Sequence, residues 1–335
     1  MALDVKVTID MAKSLGTLGF GYPLILEENA TTAIAYAECS DIDAVVKAGY
    51  ANTTKVYKVA QLMFMQEHKP AKIAVCSTTD GADDWLGVEA NIAKGWRQLV
   101  VVNGSTESST ATAVTAIATA IESAKVEKMF FANVDMPETL ASATAALSDK
   151  NRTVVFYYTA TADVPVPVAA LVGEIGGLTP GAYTVNNMTL KGLTPLELSQ
   201  DDIDKIHGIN GITFVLSAGD GVCSEGKVSS GDYIDIIDGN DYIKQQLEYR
   251  TQKVFNTNLK VPYTNAGIAL LEAAAIGVMQ DAQNKGIVED FTVTYALREQ
   301  TTADDRASRK YFGGNVQYSM QGAIHYIEIY AQASI

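Results

Sequence analysis

A mixed α/β fold, with helices covering mixed sheets and a strand arm at each end of the chain, follows from three observations. Four short apolar runs, Ile73–Cys76, Leu99–Val102, Met129–Ala132 and Val154–Tyr157, begin about 25–30 residues apart, the length of one strand–helix unit. The stretches between them carry helix signals. Both ends of the chain alternate apolar and polar side chains, the period of an extended strand with one sticky face.

At the N-terminus, Leu3, Val5, Val7 and Ile9 alternate with Asp4, Lys6, Thr8 and Asp10. The segment Leu15-Gly16-Thr17-Leu18-Gly19-Phe20-Gly21-Tyr22-Pro23 is too rich in glycine to continue that strand. An amphipathic strand on such a tether is easily donated to a sheet edge, in its own chain or a neighbour. Between the four apolar runs, alanine-rich Thr110–Lys125 is a good helix former. Asp135-Met136-Pro137-Glu138 has the spacing of a capping box.

Past residue 160 the composition changes. The stretch 178–195 is rich in loop residues, Ile212–Leu216 reads as a buried strand, and Asp232–Ile237 reads as another. Helices are expected over about 241–256 and 265–285, the second with Asn265 at its cap and Gly286 just beyond its end. Phe291, Val293, Tyr295 and Leu297 alternate, Ala303–Tyr311 is a short charged helix, and Val316, Tyr318 and Met320 alternate again. The run Ala323–Ala333 is dense in apolar and β-branched residues, so both chain ends are aggregation hazards unless something covers them.

The bulk numbers bound the function. With 335 residues, 47% hydrophobic and 19% charged, the chain can bury a core without staples. A net charge of −14 repels a polyanion, so nucleic acid is not an expected partner. Cys39, Cys76 and Cys223 are odd in number and widely spaced, as in a reduced cytosolic product. The first residues lack a targeting pattern, and the most apolar stretch, Ala266 to Met279, is too short to span a bilayer and contains Glu272. No membrane insertion is expected.

No motif supports chemistry. Gly221-Val222-Cys223-Ser224-Glu225-Gly226-Lys227-Val228 has the glycines and lysine of a phosphate-binding loop, but Val228 stands where Ser or Thr must hold magnesium. Ser229-Ser230-Gly231-Asp232 also breaks the chain where a helix should start. A turn between strands is the better reading. His68, His207 and His325 have no metal-ligand spacing to one another or to the cysteines. Asp201, Asp202 and Asp204 fit the first turn of a helix capped by Ser199. Asp235, Asp238 and Asp241 lack the spacing of a calcium loop and read as turn and cap residues. No catalytic residue, metal or cofactor is expected. The segment Asp304-Asp305-Arg306-Ala307-Ser308-Arg309-Lys310 is either a solvated helix face, with Asp305 and Arg309 as i,i+4 partners, or a docking surface for a charged partner.

Four segments of the C-terminal half, in order, resemble contractile tail sheath proteins of phages and R-type bacteriocins. Leu190-Lys191-Gly192-Leu193-Thr194-Pro195 is similar to a family segment, as is Gly226 through Tyr242. Ala303 through Arg309 resembles the acidic-then-arginine helix of that family, and Gly322-Ala323-Ile324-His325-Tyr326-Ile327-Glu328-Ile329 its closing strand. The resemblance covers about residues 165–335. It implies a non-enzymatic subunit that polymerises as helically stacked hexameric rings around an inner tail tube, with baseplate and terminator proteins as further partners. It implies assembly in the bacterial cytoplasm and release of the particle by lysis.

The resemblance also implies that β-arms are exchanged between subunits: Leu3, Val5, Val7 and Ile9 at one end, and Ile324, Tyr326, Ile327 and Ile329 at the other. Asp304, Asp305, Arg306, Arg309 and Lys310 would form a helix docked on the tube. The expected division is an arm and linker at 1–20, a variable outer α/β domain at 21–185, a sheath core at 186–311 and a C-terminal arm at 312–335. An α/β enzyme built on the strand–helix units, and a structural component that does not contract, are the alternatives.

Overall fold

The computed structural model describes residues 20–79, 86–103, 111–134 and 146–332. The N-terminal arm residues Leu3, Val5, Val7 and Ile9, and the capping box at Asp135, lie outside the described residues. Two compact units are present, one ending at Gln252 and the other beginning at Lys253.

The first unit is built on one sheet of eight strands. In chain order these are β1 (Leu24–Glu28), β2 (Ile34–Cys39), β3 (Ile73–Ser77), β4 (Gln98–Asn103), β5 (Met129–Val134), β6 (Thr153–Tyr157), β7 (Ile212–Ser217) and β8 (Asp220–Cys223). Their spatial order is β2-β3-β1-β4-β5-β6-β7-β8. The six inner strands are parallel, and the edge strands β2 and β8 are antiparallel to their neighbours. The expected mixed α/β fold is therefore observed. The four runs read from the sequence are β3 to β6, and β7 matches the fifth.

Both faces of this sheet are covered, which explains why its strands read as continuous apolar runs. Ile25 faces one core with Val45 of α1 (Ile42–Lys47), Val59 and Met63 of α2 (Lys55–Phe64) and Val172 of α5 (Val168–Ile175). Leu24 and Leu26 face the other core with Val88 of α3 (Leu86–Asn91), Ile117 and Ile121 of α4 (Ala111–Ala124) and Ile206 of α6 (Gln200–His207). Each fully buried side chain of this size contributes about 1.5–3 kcal/mol. Helix α5 lies against α2 at Gly173, where a Cβ would sit 2.5 Å from the Met63 Cα.

Three sequence expectations are corrected. Asp232–Ile237 is not a strand: α7 starts at Ile234 and runs to Thr257. Asp235, Asp238 and Asp241 are therefore not turn or cap residues; they lie three apart along one buried helix face. The charged helix expected over 303–311 is only α9 (Ala303–Ala307), and Arg309 has a φ of 57° outside it. No ion pair joins Asp305 and Arg309, because Asp305 caps the helix start through Thr302.

The second unit holds α8 (Asn265–Asn284), α9 and a two-stranded antiparallel sheet of β9 (Val288–Tyr295) and β10 (Gly314–Met320). The cap of α8 is Thr264, one residue before the expected Asn265, because the Thr264 hydroxyl accepts from the Gly267 N–H. Gly286, at φ +72°, follows the last turn as expected.

Candidate assembly surfaces and a buried charge lattice

The motifs tested for chemistry resolve as structure. Gly221–Cys223 belongs to β8, and Lys227 bridges Tyr233, so the loop-like motif is a strand and turn rather than a phosphate cradle. His207 Nε2 lies 2.9 Å from the Ser224 hydroxyl, but that oxygen also accepts from the Thr213 N–H, which ties α6 to the sheet edge. His68 Nδ1 lies 2.5 Å from Glu174 of α5. Among the described residues no group of three or more His, Cys, Asp or Glu is placed to hold a metal ion. No helix among them is long and apolar enough to cross a membrane. All three cysteines are free and buried, and burial pushes the Cys76 thiol up to about 12.

Where α7 meets the strand starts of β4 and β6, buried charges form a lattice. Arg97 pairs with Asp238 and lies 2.9 Å from Asp241. Arg152 also grips Asp241 with both terminal nitrogens. Tyr183 Oη donates to the second Asp238 oxygen at 2.5 Å, and Lys244 pairs with Glu127. Burial pulls the Arg97 pKa down, but Asp238 and Asp241 more than offset it and hold the guanidinium above its ordinary range. Burial likewise pushes Asp241 up, and Arg97 and Arg152 outweigh it, so the carboxylate stays charged. Removing one member leaves an unpaired buried charge, which costs about 3–5 kcal/mol.

The sequence reading did not find this lattice. Its signal was present: three aspartates at i, i+3 and i+6 share a helix face, and two arginines stand immediately before strand runs.

In the second unit, Phe291, Val293 and Tyr295 of β9 are partly buried while Thr292 and Thr294 between them are exposed. On β10, partly buried Val316 and Tyr318 stand opposite Val293 and Phe291, and Met320 stands opposite Val288 beyond a register shift. One face of the pair is thus apolar. Each strand has a single neighbour among the described residues, so each has one edge with no strand beside it.

After β10, Gln321 N–H donates to Ile287 O at 2.9 Å, and residues 322–332 form neither strand nor helix. Ile324, Tyr326, Ile327 and Ile329 are between 72% and 89% exposed, a cluster of apolar side chains left open to solvent. Asp304 and Asp305 sit in the first turn of α9, and Arg306 turns back to Thr301 O and, at 3.2 Å, Arg298 O. Arg309 and Lys310 lie past the helix and are exposed. Their backbone is fixed by Tyr263 Oη, which donates to Lys310 O at 3.0 Å, and by the Tyr263–Tyr311–Tyr295 ring cluster.

No protein-family model and no curated protein matches the chain. Solved structures do. The helical sheath of the anti-feeding prophage in its contracted state matches with a TM-score of 0.69 at 14% identity, covering 99% of both chains. A chain of the anti-feeding prophage baseplate matches at 0.69 and 12%, covering 100% of this chain and 99% of its own. The contracted sheath complex of the extracellular contractile injection system PVC matches at 0.70 and 10%, covering 100% and 98%. Over its full length, this chain has the fold of the contractile-sheath subunits of phage-tail-like injection systems.

Proposed function

We propose that the chain is a structural subunit of a contractile sheath, polymerising as helically stacked hexameric rings around an inner tube and contracting to drive that tube through a target cell envelope. The observation that carries this reading is the shared fold over 99% of both chains with a contracted sheath subunit. In this reading the particle assembles in the bacterial cytoplasm and leaves by lysis, with the tube, baseplate and terminator proteins as partners. Nucleic acid, cofactor and membrane insertion play no part.

Assembly would run through the arms. The exposed apolar residues Ile324, Tyr326, Ile327 and Ile329 support a C-terminal arm within 312–335 that is covered only by a neighbour. The two open edges of β9 and β10 suit two incoming strands, one from each kind of arm, by β-augmentation. Leu3, Val5, Val7 and Ile9 would be the other arm, within 1–20. The outer domain would span 21–185 and the core 186–311. Asp304, Asp305, Arg306, Arg309 and Lys310 would face the tube, with Arg309 and Lys310 making the charge contact because Asp305 and Arg306 are engaged within their own chain. Strand pairing would persist as subunits rotate and repack during contraction.

A second reading is a sheath-like component that does not contract, favoured by the equal likeness to a baseplate chain. Negative-stain electron microscopy of the purified protein, before and after mild destabilisation, separates the two. Hollow ridged cylinders of two widths support contraction, and one width alone supports the static component. Small monodisperse particles, even with the tube protein added, would overturn both.

A further inference from the structure

The three residues that lead into β1 are held from both sides. Arg97, whose charged end is buried in the lattice, lies with its guanidinium carbon 4.2 Å from the Phe20 ring centroid, and that ring also meets Tyr242 of α7 at 6.0 Å. Two residues on, Tyr22 Oη donates to Glu38 of β2 at 2.5 Å and accepts from Tyr36 at 3.2 Å. The Lys72 ammonium sits 4.3 Å from the Tyr22 ring centroid.

Between them, Gly21 has a φ of +101°, and a Cβ there would come within 2.7 Å of the Arg97 Cβ. Only glycine fits that approach without strain. The backbone is stitched at the same place, since Arg97 N–H donates to Tyr22 O at 2.9 Å and Ala74 N–H to Pro23 O at 2.7 Å.

We infer that Phe20-Gly21-Tyr22 is a mechanical clasp, which takes tension applied to residues 1–19 and delivers it to α7 through Arg97 and to the sheet edge through Tyr22. The inference rests on the arm reading for its purpose, though not for its geometry. A strand exchanged with a neighbour is pulled whenever subunits move, and β1 lies in the middle of the sheet with both neighbours parallel to it. Without a clasp, load on the arm would fall directly on the β1 ladder. With it, load meets an aromatic ring seated on a cation that two buried aspartates hold in place.

The test is single-molecule pulling on the full chain between a handle near residue 2 and a cysteine placed at exposed Asn52 (N52C), since the native cysteines are buried. Rupture between these points is governed by the unfolding rate, so F20A is expected to raise the rate under load about tenfold or more. G21A should do the same, and F20L, which keeps apolar bulk without the cation contact, should fall between. Thermal melting and hydrogen exchange in the same unit but away from the clasp, over α5 (Val168–Ile175), guard against global unfolding.

If F20A keeps its melting temperature and ruptures at the same force as the parent, the clasp is overturned. Should F20A lose its fold, the comparison of F20L with the parent decides in the same way. The sheath reading fails separately, through the absence of cylinders from the parent protein.

Discussion

Arg97 and Asp241 lie 2.9 Å apart with both side chains almost wholly withdrawn from water, and Arg152 closes on the same carboxylate from the start of β6, two strands along the sheet from β4. Two strand ends are thereby fixed to one helix by charge rather than by apolar packing. Such a lattice is specific in register but vulnerable to loss of a single member. D241N is expected to lower unfolding free energy by about 3–5 kcal/mol, because two guanidiniums lose their shared counter-charge. Y183F, which removes one hydrogen bond to Asp238, is expected to cost about 1–3 kcal/mol, since it leaves one acceptor unfilled. Urea titration of the monomer distinguishes them; equal small losses would mean that the lattice is not what holds α7.

Stability should pass through a local minimum near neutral pH. Burial pushes Glu248 of α7 up to about 7 from its ordinary value, so the folded state holds a proton that the unfolded chain has released. From that group, stability falls as pH rises from the ordinary glutamate range towards 7. Burial, with Arg97 next in weight, pulls Lys128 down to about 7, so between 7 and the ordinary lysine range the unfolded chain binds the extra proton. From Lys128, stability therefore rises with pH over that window. E248Q should flatten the acid side of the melting-temperature curve, and K128M the alkaline side. A monotonic curve through pH 7 in the parent would contradict both assignments.

What was legible in the sequence was whatever repeats locally. Strands β3 to β6 stood out because both of their faces are buried, which leaves an apolar run between polar flanks. Strand β1 did not, since its buried stretch is short, directly follows Pro23 and ends in Glu27 and Glu28. The start of α7 was misread because Tyr233, Ile234, Ile236 and Ile237 suit a pleated surface, while the deciding feature was the partner of each aspartate. Arg97 is 141 residues from Asp238, and no local pattern spans that distance. The exposed C-terminal run was legible for the opposite reason: Ile324, Tyr326, Ile327 and Ile329 are apolar in the letters alone, and no packing among the described residues covers them. The shortness of α9 was not, because Thr302 and Asp305 form a cap that the i,i+4 charge spacing obscures.

The proposed arms can be tested by removal. Deleting residues 323–335 takes away Ile324, Tyr326, Ile327 and Ile329, which make little contact with the rest of their own subunit. The melting temperature should therefore stay within a few degrees of the parent, since little buried area is lost, while cylinder formation is abolished. Deleting residues 1–10 is expected to behave alike. Sheaths of normal length and stability from either truncation would remove the arms from the assembly mechanism.

The proposed tube contact yields a prediction in which charge, rather than fold, is changed. Asp304 and Asp305 serve the N-terminal turn of α9, and Arg306 serves the Thr301 and Arg298 carbonyls, so changes there disturb the helix itself. Arg309 and Lys310 are exposed and outside the helix, and their reversal should cost the subunit less than about 0.5 kcal/mol. The double change R309E/K310E is expected to leave the melting temperature unaltered and to abolish co-sedimentation with the tube protein at low salt. R309K/K310R, which keeps both charges, should retain it. Raising the ionic strength should weaken the parent's binding progressively, because exposed charge pairs are screened within about a Debye length, roughly 8–10 Å at physiological salt. Salt-independent binding, or full binding by the charge-reversed form, would assign the tube contact to another surface.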